Sequence, residues 1–250
     1  MSSLKAVNFK ASSFKKIELE TLPQLETVNL EDTKKLEELS LKNLGKLKTI
    51  NRDKSLLKKI SLENLSGLEE VSLQNTTQLE EISLKNLEEL KKLDCSGSNV
   101  KKIEGLETLS HLEVLILTGT KQLIKEISVK NLENLKRIAF NRSSITKIEG
   151  LEKLSHLESL YLMDTNIEEI SLNNLHKLKS VYLSNSKIKK LELEGLSNLG
   201  NLYLTRAENL QELTFKEDMK NLQLNLQGSG IKNRAQIKGI EYLDEKNISW

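Results

Sequence analysis

The segment LESLYLMDTNIEEISLNNLHK (residues 157–177) contains one hydrophobic pattern twice. The first copy is L-x-x-L-x-L at residues 157–162, and the second, I-x-x-I-x-L, follows ten residues later at 167–172. The alternation within L-x-L has the period of a β-strand, whose side chains point to opposite faces. A helix of this length would need apolar residues at intervals of three and four throughout. The segment therefore predicts two extended sides that both point leucines or isoleucines inward.

The pattern recurs along nearly the whole chain, in coils 21 to 23 residues long. A single coil is too short to bury its apolar edge, whereas stacked coils share one continuous core. We therefore predict a single domain over residues 1–250 with about eleven coils, and residues 232–250 as a cap that uses Ile237, Ile240, Leu243 and Trp250. The coils begin at Leu4, Leu25, Leu47, Leu68, Leu90, Leu112, Leu135, Leu157, Leu178, Leu199 and, less clearly, Asn221.

The form L-x-x-L-x-L-x-x-T-x-I-x-x-I of residues 157–170 resembles the signature of leucine-rich repeat proteins. Over residues 4–231 the chain is most similar to the short repeats of bacterial internalins and of eukaryotic phosphatase-regulator proteins. The resemblance implies an α/β-type repeat fold, a right-handed leucine-rich-repeat solenoid or horseshoe. Its concave face would be a parallel β-sheet, its convex side would have short extended or β segments, and there would be little helix.

At the ninth position of the coil, where that family usually has Asn, this chain has Ser or Thr in every coil but one. We expect these hydroxyls to form hydrogen bonds along the stack and to satisfy backbone groups at the turn. A ladder of asparagines is expected on the other side of the coil, at Asn43, Asn64, Asn86, Asn131 and Asn174.

Charges of opposite sign alternate from coil to coil, although the formal net charge is only +2. Neighbouring parallel strands lie about 4.8 Å apart, so each charge is expected beside opposite charges on the adjacent coils. The lysine pairs therefore indicate a charge ladder rather than a nucleic-acid surface. The second residues of the first nine coils are Lys5, Glu26, Lys48, Glu69, Lys91, Glu113, Lys136, Glu158 and Lys179.

The fifth position of the coil, between the two leucines of L-x-L, points away from the core. Three of the four tyrosines of the chain share this column in consecutive coils. An apolar and aromatic stripe with a polar rim is typical of a recognition surface, since Tyr and Arg dominate binding hot spots. The alternative is an aromatic stack that only stiffens the sheet. The predicted partner-binding residues are Tyr161, Tyr182, Tyr203, Ile116, Val114, Met163, Arg137, Asp164, Asn185 and Arg206.

No motif for catalysis, phosphate binding or metal binding appears in the sequence. The single cysteine, Cys95, takes an inward position and is expected to be an inert buried thiol. His111 and His156 occupy equivalent places in a duplicated segment and are interpreted as inherited, not as metal ligands. We therefore expect no enzyme activity, no cofactor and no metal.

The sequence thus predicts a non-enzymatic module that binds a protein partner through its concave face. The resemblance suggests a bacterial adhesin or secreted effector, and the alternatives are an intracellular regulatory scaffold or the recognition domain of a larger enzyme. No apolar run is long enough to insert in a membrane and no signal peptide is visible, so the localisation stays open. The first coil, with Val7, Phe9 and Phe14, has no polar cap, and self-association through it is a further expectation.

Overall fold

The computed structural model describes residues 3–30, 32–52, 54–121 and 125–250. The chain divides into two compact units, Met1–Leu123 and Ile124–Trp250, and each is a parallel β-solenoid. In every coil the chain passes first through a sheet made of the L-x-L segments, called here the front sheet. It then turns and passes through the second apolar segment, which forms the back sheet in every coil except the one that begins at Leu157. The predicted repeat fold is confirmed.

The first unit contributes six strands to the front and five to the back. Strands β5, β7, β9 and β11 pair in order on the front, β1 pairs with β3, and β2, β4, β6, β8 and β10 form the back sheet. The elements in chain order are β1 (Ala6–Asn8), β2 (Lys16–Glu20), β3 (Thr27–Asn29), β4 (Glu38–Lys42), β5 (Thr49–Asn51), β6 (Lys59–Glu63), β7 (Glu70–Ser72), β8 (Glu81–Lys85), β9 (Lys92–Asp94), β10 (Lys102–Glu104), the 3-10 helix η1 (Leu106–Thr108) and β11 (Val114–Ile116).

The second unit has a continuous front sheet of six strands and a back sheet in two parts. The front order is β13, β15, β16, β18, β20, β22, and the back pairs are β12 with β14 and β17 with β19 and β21. The elements are β12 (Glu126–Ser128), β13 (Arg137–Ala139), β14 (Lys147–Glu149), η2 (Leu151–Lys153), β15 (Ser159–Tyr161), β16 (Ser180–Tyr182), β17 (Lys190–Leu193), β18 (Asn201–Tyr203), β19 (Glu212–Phe215), β20 (Gln223–Asn225), η3 (Arg234–Gln236), β21 (Ile237–Lys238), η4 (Ile240–Tyr242), η5 (Glu245–Asn247) and β22 (Ile248–Ser249). None of the helices in the described residues is long and apolar enough to cross a membrane.

Strand register keeps equivalent residues of successive coils side by side. Leu160, Val181, Leu202 and Leu224 are aligned on neighbouring front strands, and each is at most 1% exposed. Since side chains alternate along a strand, the residues on either side of each core residue must face away from the core. The leucine pattern thereby fixes which side chains the front sheet presents outward.

Sharp turns follow the front strands, and the eighth residue of each coil adopts the left-handed backbone conformation there. In the second unit these residues are Arg142, Asp164, Asn185 and Arg206, with φ of 55° to 56°, and Gly228, with φ of 69°. Gly, Asn and Asp tolerate this region, whereas arginine visits it rarely. The turn therefore holds the eighth side chains in one column at the edge of the front sheet.

Hydroxyl groups at the ninth position of the coil bond to backbone carbonyl oxygens. Thr165 Oγ1 donates to the Leu162 carbonyl oxygen at 2.7 Å, and Thr33, Thr76, Thr120 and Ser143 make the same bond three residues back. These five hydroxyls satisfy backbone groups at the turn, as expected, but they donate within their own coil and not along the stack. The hydroxyls of Ser12, Ser55, Ser98 and Ser186 are buried without a partner among the described residues. Because a hydroxyl has a single proton, one that donates to its own turn cannot also donate to the next coil.

The asparagine ladder on the other side of the coil is confirmed for three members. Asn64 donates through Nδ2 to Asn43 Oδ1 at 2.8 Å, and Asn86 donates to Asn64 Oδ1 at 2.7 Å. These three residues have φ of 54° to 56°, which asparagine tolerates better than most side chains. Side-chain amides carry both a donor and an acceptor, so each can bond to the coil before and the coil after.

The charge ladder is confirmed on both sheets. On the front side Lys48 and Lys91 both contact Glu69, at 2.8 and 3.1 Å, and Lys179 contacts Glu158 at 2.7 Å. Among the back-sheet pairs are Lys58 with Glu37 at 2.7 Å, Lys59 with Glu81 at 2.6 Å and Lys101 with Glu80 at 2.9 Å. These lysines are occupied by carboxylates of adjacent coils and do not form a free basic patch.

Arg52 takes the sixth position of its coil, where other coils place an inward apolar residue. Its side chain is 9% exposed, donates through Nη1 to the Leu30 carbonyl oxygen, and donates through Nη2 to Thr33 Oγ1 at 2.9 Å. Within the described part of the first unit, β3 and β5 belong to different sheets, and Arg52 follows β5 at this break. The guanidinium therefore lies between two coils and bonds to the earlier one.

The two ends of the described chain differ in their packing. In the first coil Phe14 is 56% exposed and Leu4 is 39% exposed, and the rings of Phe9 and Phe14 meet edge to face at 6.1 Å. At the other end Ile237 and Leu243 are buried, and β21 and β22 each add a short strand to a sheet of the second unit. Trp250 is 49% exposed, and its part in covering the last coil stays a prediction.

The back sheet of the second unit is interrupted at one coil. Residues 167–172, all of which the structure describes, form no strand, and β14 and β17 are consequently in separate sheets. An open cleft of about 630 Å³ lies at this interruption, with Ile148 and Ile170 in its lining. The front strands β15 and β16 of the same region pair normally, so the front sheet does not depend on the back one here.

Candidate protein-binding surface

Tyr161, Tyr182 and Tyr203 form a stacked column on the front sheet of the second unit. Their ring centroids are 4.7 and 4.9 Å apart, with interplanar angles of 6° and 4°. The strands place these residues directly opposite one another, and the spacing of the rings is that of neighbouring strands. We refer to these three residues as the tyrosine column.

Arg137 closes one end of the column. Its guanidinium carbon lies 4.8 Å from the centroid of the Tyr161 ring, within the range of a cation–π contact. The residue directly opposite Tyr161 on β13 is Ala139, which is buried, and its small side chain leaves room for the arginine to lie over the ring. Both faces of the Tyr161 and Tyr182 rings are therefore covered by protein groups.

What the column offers to solvent is ring edges and hydroxyl groups. All three tyrosines are half-buried, and none of their hydroxyls has a hydrogen-bond partner among the described residues. A phenolic hydroxyl both donates and accepts, so the column presents three such groups in a row about one strand spacing apart. Buried tyrosine hydroxyls usually find a partner, and these three are free to bond to another molecule.

An open groove of about 660 Å³ runs along the edge of the front sheet beside the column. It is formed by the turns that follow β15, β16, β18 and β20. Its lining residues are Met163, Asp164, Ser184, Asn185, Thr205, Arg206, Gln227 and Gly228. We refer to it as the edge groove.

Backbone hydrogen bonds hold the walls of the edge groove in place. The amide groups of Asp164, Asn185 and Arg206 donate to carbonyl oxygens of the next coil at 2.8 to 3.0 Å. Because these backbone groups are already paired, the side chains are what the groove presents. Together with the left-handed backbone of the same residues, this bonding sets one fixed direction for three consecutive side chains.

The charges of the edge groove are unequally compensated. Asp164 accepts a hydrogen bond from Asn185 Nδ2 at 2.6 Å, and its other oxygen lies 3.5 Å from Arg142 Nε. Arg206 makes no ion pair with any described residue, and its side chain is exposed. The groove therefore has a neutralised carboxylate near one end and an uncompensated guanidinium near the other.

The structure brings together eight of the ten residues that the sequence predicts for partner binding. Seven are in the tyrosine column or the edge groove, and Arg137 lies over the column. Val114 and Ile116 are on β11 of the first unit, so the surface described here is built from second-unit residues alone.

Sequence reasoning missed four residues of the groove and one neighbour. Ser184, Thr205 and Gln227 share the seventh position of the coil with Met163, and Gly228 shares the eighth with Asp164. Their repeat positions could therefore have identified them as groove residues. They were missed because their side chains are uncharged. Arg142 was missed because its role is set by Asp164 of the next coil, a contact that needs the structure.

Other groups that could support chemistry are occupied by the fold. Cys95 is fully buried, and burial raises the pKa of its thiol. His111 and His156 contact the carbonyl oxygens of Glu88 and Glu133, each 23 residues earlier, as their duplicated positions require. Within the described residues no group of three His, Cys, Asp or Glu side chains is placed to hold a metal ion.

Parallel strands stacked at one coil per repeat, inward leucines and left-handed turns together define a leucine-rich repeat solenoid. Family comparison agrees: the BspA-type leucine-rich repeat region matches residues 2–124 and 117–227, in six copies. The chain belongs to the BspA-type leucine-rich repeat family. The predicted leucine-rich repeat class is thus confirmed. No curated protein sequence matches the chain significantly.

Comparison with solved structures gives matches of low sequence identity. The plant peptide hormone receptor RGFR1, solved in complex with RGF2, is 16% identical with a TM-score of 0.52, over 90% of this chain and 47% of the receptor. An internalin from Listeria monocytogenes is 18% identical with a TM-score of 0.42, over 83% of this chain and 88% of the internalin. A leucine-rich repeat protein from Leptospira interrogans is 18% identical with a TM-score of 0.35, over 98% of this chain and 92% of the Leptospira protein. The likeness to the receptor concerns the fold alone, and the chain spans about half of that receptor.

Proposed function

We propose that this chain is a non-enzymatic protein–protein interaction module, which binds its partner through the front sheet of the second unit. The tyrosine column supplies the anchors, and Arg137, Met163, Asp164, Asn185 and Arg206 surround them. The observation that carries the proposal is the row of three unpartnered hydroxyls beside an open groove.

Energetic reasoning supports this location. Tyrosine and arginine are enriched among hot-spot residues. Tyrosine brings a large contact area and a polar group with few rotatable bonds, and arginine brings several hydrogen-bond donors on one planar group. Stacking fixes the three rings before any partner arrives, so little conformational freedom is left to lose on binding. The architecture is one in which a relative binds a polypeptide: RGFR1 was solved with RGF2.

The alternative is that the column only stiffens the sheet, and a selection experiment separates the two. Random twelve-residue peptides displayed on phage are selected on the wild type and on three variants of matched stability. The variants are a triple Tyr→Ala variant of the column, a triple Tyr→Phe variant, and a triple Asn→Ala variant at Asn8, Asn29 and Asn51, the same repeat position in the first unit.

We expect peptides that bind the wild type and the Asn→Ala control alike. Against the triple Tyr→Ala variant their affinity should fall by about a hundredfold or more, as loss of hot-spot residues does. The triple Tyr→Phe variant keeps the stack and removes the hydroxyls, so an intermediate loss would assign part of the affinity to hydrogen bonds. Peptides that bind all four proteins equally, or no binding peptides at all, would contradict the proposal.

A finer proposal concerns where the module works. We propose a bacterial surface protein or secreted effector, on the resemblance of its repeats to those of internalins; an intracellular regulatory scaffold is the alternative. An antibody raised against the chain, used on surface, medium and cytosolic fractions of the source cells, distinguishes the two. Recovery in the cytosolic fraction alone would favour the scaffold.

A further inference from the structure

We propose that the partner segment recognised at this site is an acidic peptide, extended across the strands of the second unit from Arg137 toward Arg206. This inference rests on the proposed function and adds the chemistry of the partner. It follows from the distribution of charge on the surface, from the groups the tyrosine column leaves accessible, and from the spacing of the two arginines.

The outward side of the second unit has an excess of positive charge. Its front-sheet and edge positions are the third, fifth, seventh and eighth of the coils beginning at residues 135, 157, 178, 199 and 221. They contain three arginines, Arg137, Arg142 and Arg206, and a single acidic residue, Asp164. Arg142 contacts Asp164, which leaves Arg137 and Arg206 without a carboxylate among the described residues.

The excess is specific to the second unit. At the same repeat positions the sequence of the first unit has five acidic residues and three lysines: Glu31, Asp32, Asp53, Glu70 and Asp94 against Lys10, Lys54 and Lys92. A charge bias confined to the side that also holds the tyrosine column is complementary to negative charge on a partner. Arginine suits this role because its planar group binds a carboxylate through two parallel hydrogen bonds.

The stacking of the tyrosines limits what else can bind. Sugar rings and nucleobases are recognised on the open faces of aromatic side chains. Here neighbouring rings take four of the six ring faces and Arg137 takes a fifth, which leaves only one face of Tyr203 without a stacked group among the described residues. The accessible hydroxyls suit a ligand rich in hydrogen-bonding groups, such as a polypeptide backbone with its alternating amide and carbonyl groups.

The two free guanidinium groups are separated by three coils. Three strand spacings of about 4.8 Å correspond to about 14 Å along the stack. The two residues are also displaced along the strand direction, because Arg137 takes the third position of its coil and Arg206 the eighth. An extended chain covers about 3.3–3.6 Å per residue, so two carboxylates at least four residues apart would reach both arginines. In a helix four residues span only about 6 Å, so a helical segment with that spacing would reach one of them.

The test uses the peptides selected on the wild type, together with charge variants of the protein. The variants are Arg137→Gln, Arg206→Gln and, as a matched control, Lys54→Gln, which lies at the same repeat position as Arg206 and has the same left-handed backbone. Binding is measured by fluorescence anisotropy with labelled synthetic peptides at low and high salt. A labelled twelve-nucleotide single-stranded DNA serves as the probe for a nucleic-acid ligand.

We expect the tyrosine-dependent peptides to be enriched in Asp and Glu, with acidic residues at least four positions apart. Each arginine variant should weaken binding roughly threefold to tenfold, and high salt should reduce the difference, whereas the Lys54→Gln control should bind as the wild type does.

Tyrosine-dependent peptides without acidic enrichment, or with unchanged affinity for both arginine variants, would overturn this inference while leaving the proposed function intact. Absence of tyrosine-dependent peptides would overturn the proposed function itself. DNA binding stronger than peptide binding and lost in Arg206→Gln would overturn the inference in favour of a nucleic acid.

Discussion

The front sheets of the two units have the same interior and different exteriors. Leu93 of the first unit and Leu202 of the second occupy the same position of the coil, and both are fully buried. One residue later the first five coils of the first unit have a polar column of Asn, Ser and Asp, whereas the second unit has stacked tyrosines. Inward positions thus determine that a coil stacks, and the outward positions between them are free to specify binding.

The largest effects are expected where the units are alike. Leu93→Ala and Leu202→Ala each remove a buried side chain from an equivalent site, and each should lower the free energy of unfolding by about 2–5 kcal/mol. Urea denaturation followed by circular dichroism measures both. A markedly smaller cost at Leu202 would mean that the core of the second unit is less tightly packed than the first, and would break the equivalence.

A smaller effect is expected where the units differ. Tyr182 stacks on a ring at each side, and stacked pairs contribute about 0.5–1.5 kcal/mol each, so Tyr182→Ala should cost about 1–3 kcal/mol. The matched change Asn51→Ala, at the same repeat position of the first unit, removes no stacked ring and should cost less than Tyr182→Ala. Equal costs in urea denaturation would show that the column contributes nothing to the stability of the sheet.

The interruption of the first front sheet provides a third comparison, since the second unit has no such break within its described strands. Burial lowers the pKa of the Arg52 guanidinium, and Arg52 Nε is buried without a hydrogen-bond partner. Arg52→Leu restores the residue type of the other coils and removes this desolvation cost. We expect it to raise the free energy of unfolding by about 1–2 kcal/mol.

The variant Arg52→Ala is the control for this prediction. It removes the same charge but leaves a cavity, and the Leu30 carbonyl oxygen loses one of its donors while keeping the bond from Thr33 Oγ1. We therefore expect lower stability than the wild type. If Arg52→Leu were also less stable, the two hydrogen bonds of Arg52 would outweigh the cost of burying it, and the arginine would stabilise the break.

Much of this architecture could be predicted from the sequence because a repeat multiplies a weak local signal. The period of the leucines predicts the coils, and the alternation within L-x-L predicts the column of outward residues at the fifth position. The alternating signs of charge predict the ladder of ion pairs. Arg52 shows what the sequence cannot predict. An arginine at an inward position indicates that this coil is irregular, but its bonds to the earlier coil depend on where the neighbouring turn lies. The acceptor of the Thr165 hydroxyl is a second feature that the sequence cannot predict. Whether the hydroxyl bonds to its own coil or to the next depends on side-chain geometry. The edge groove required left-handed residues and coil-to-coil bonds that no pattern of residue types contains.

The smallest effect is expected from the charge ladder, whose groups are exposed in both units. Hydrogen bonds from Lys48 and then Lys91 lower the pKa of Glu69 below its ordinary value of 4.5, and a hydrogen bond from Lys179 lowers the pKa of Glu158. A depressed carboxyl pKa stabilises the fold above the unfolded-state value, and this contribution is lost as the pH falls through the folded-state value. Stability should therefore decline below about pH 4.5.

Glu69→Gln should make the urea midpoint less sensitive to acid than that of the wild type. Glu158→Gln should have the same effect to a smaller degree, because among the described residues Glu158 pairs with one lysine and Glu69 with two. Since salt screens exposed pairs, the difference between the variants should shrink at high ionic strength. An acid response unchanged by Glu69→Gln would mean that the ladder contributes to the register of the coils and not to their stability.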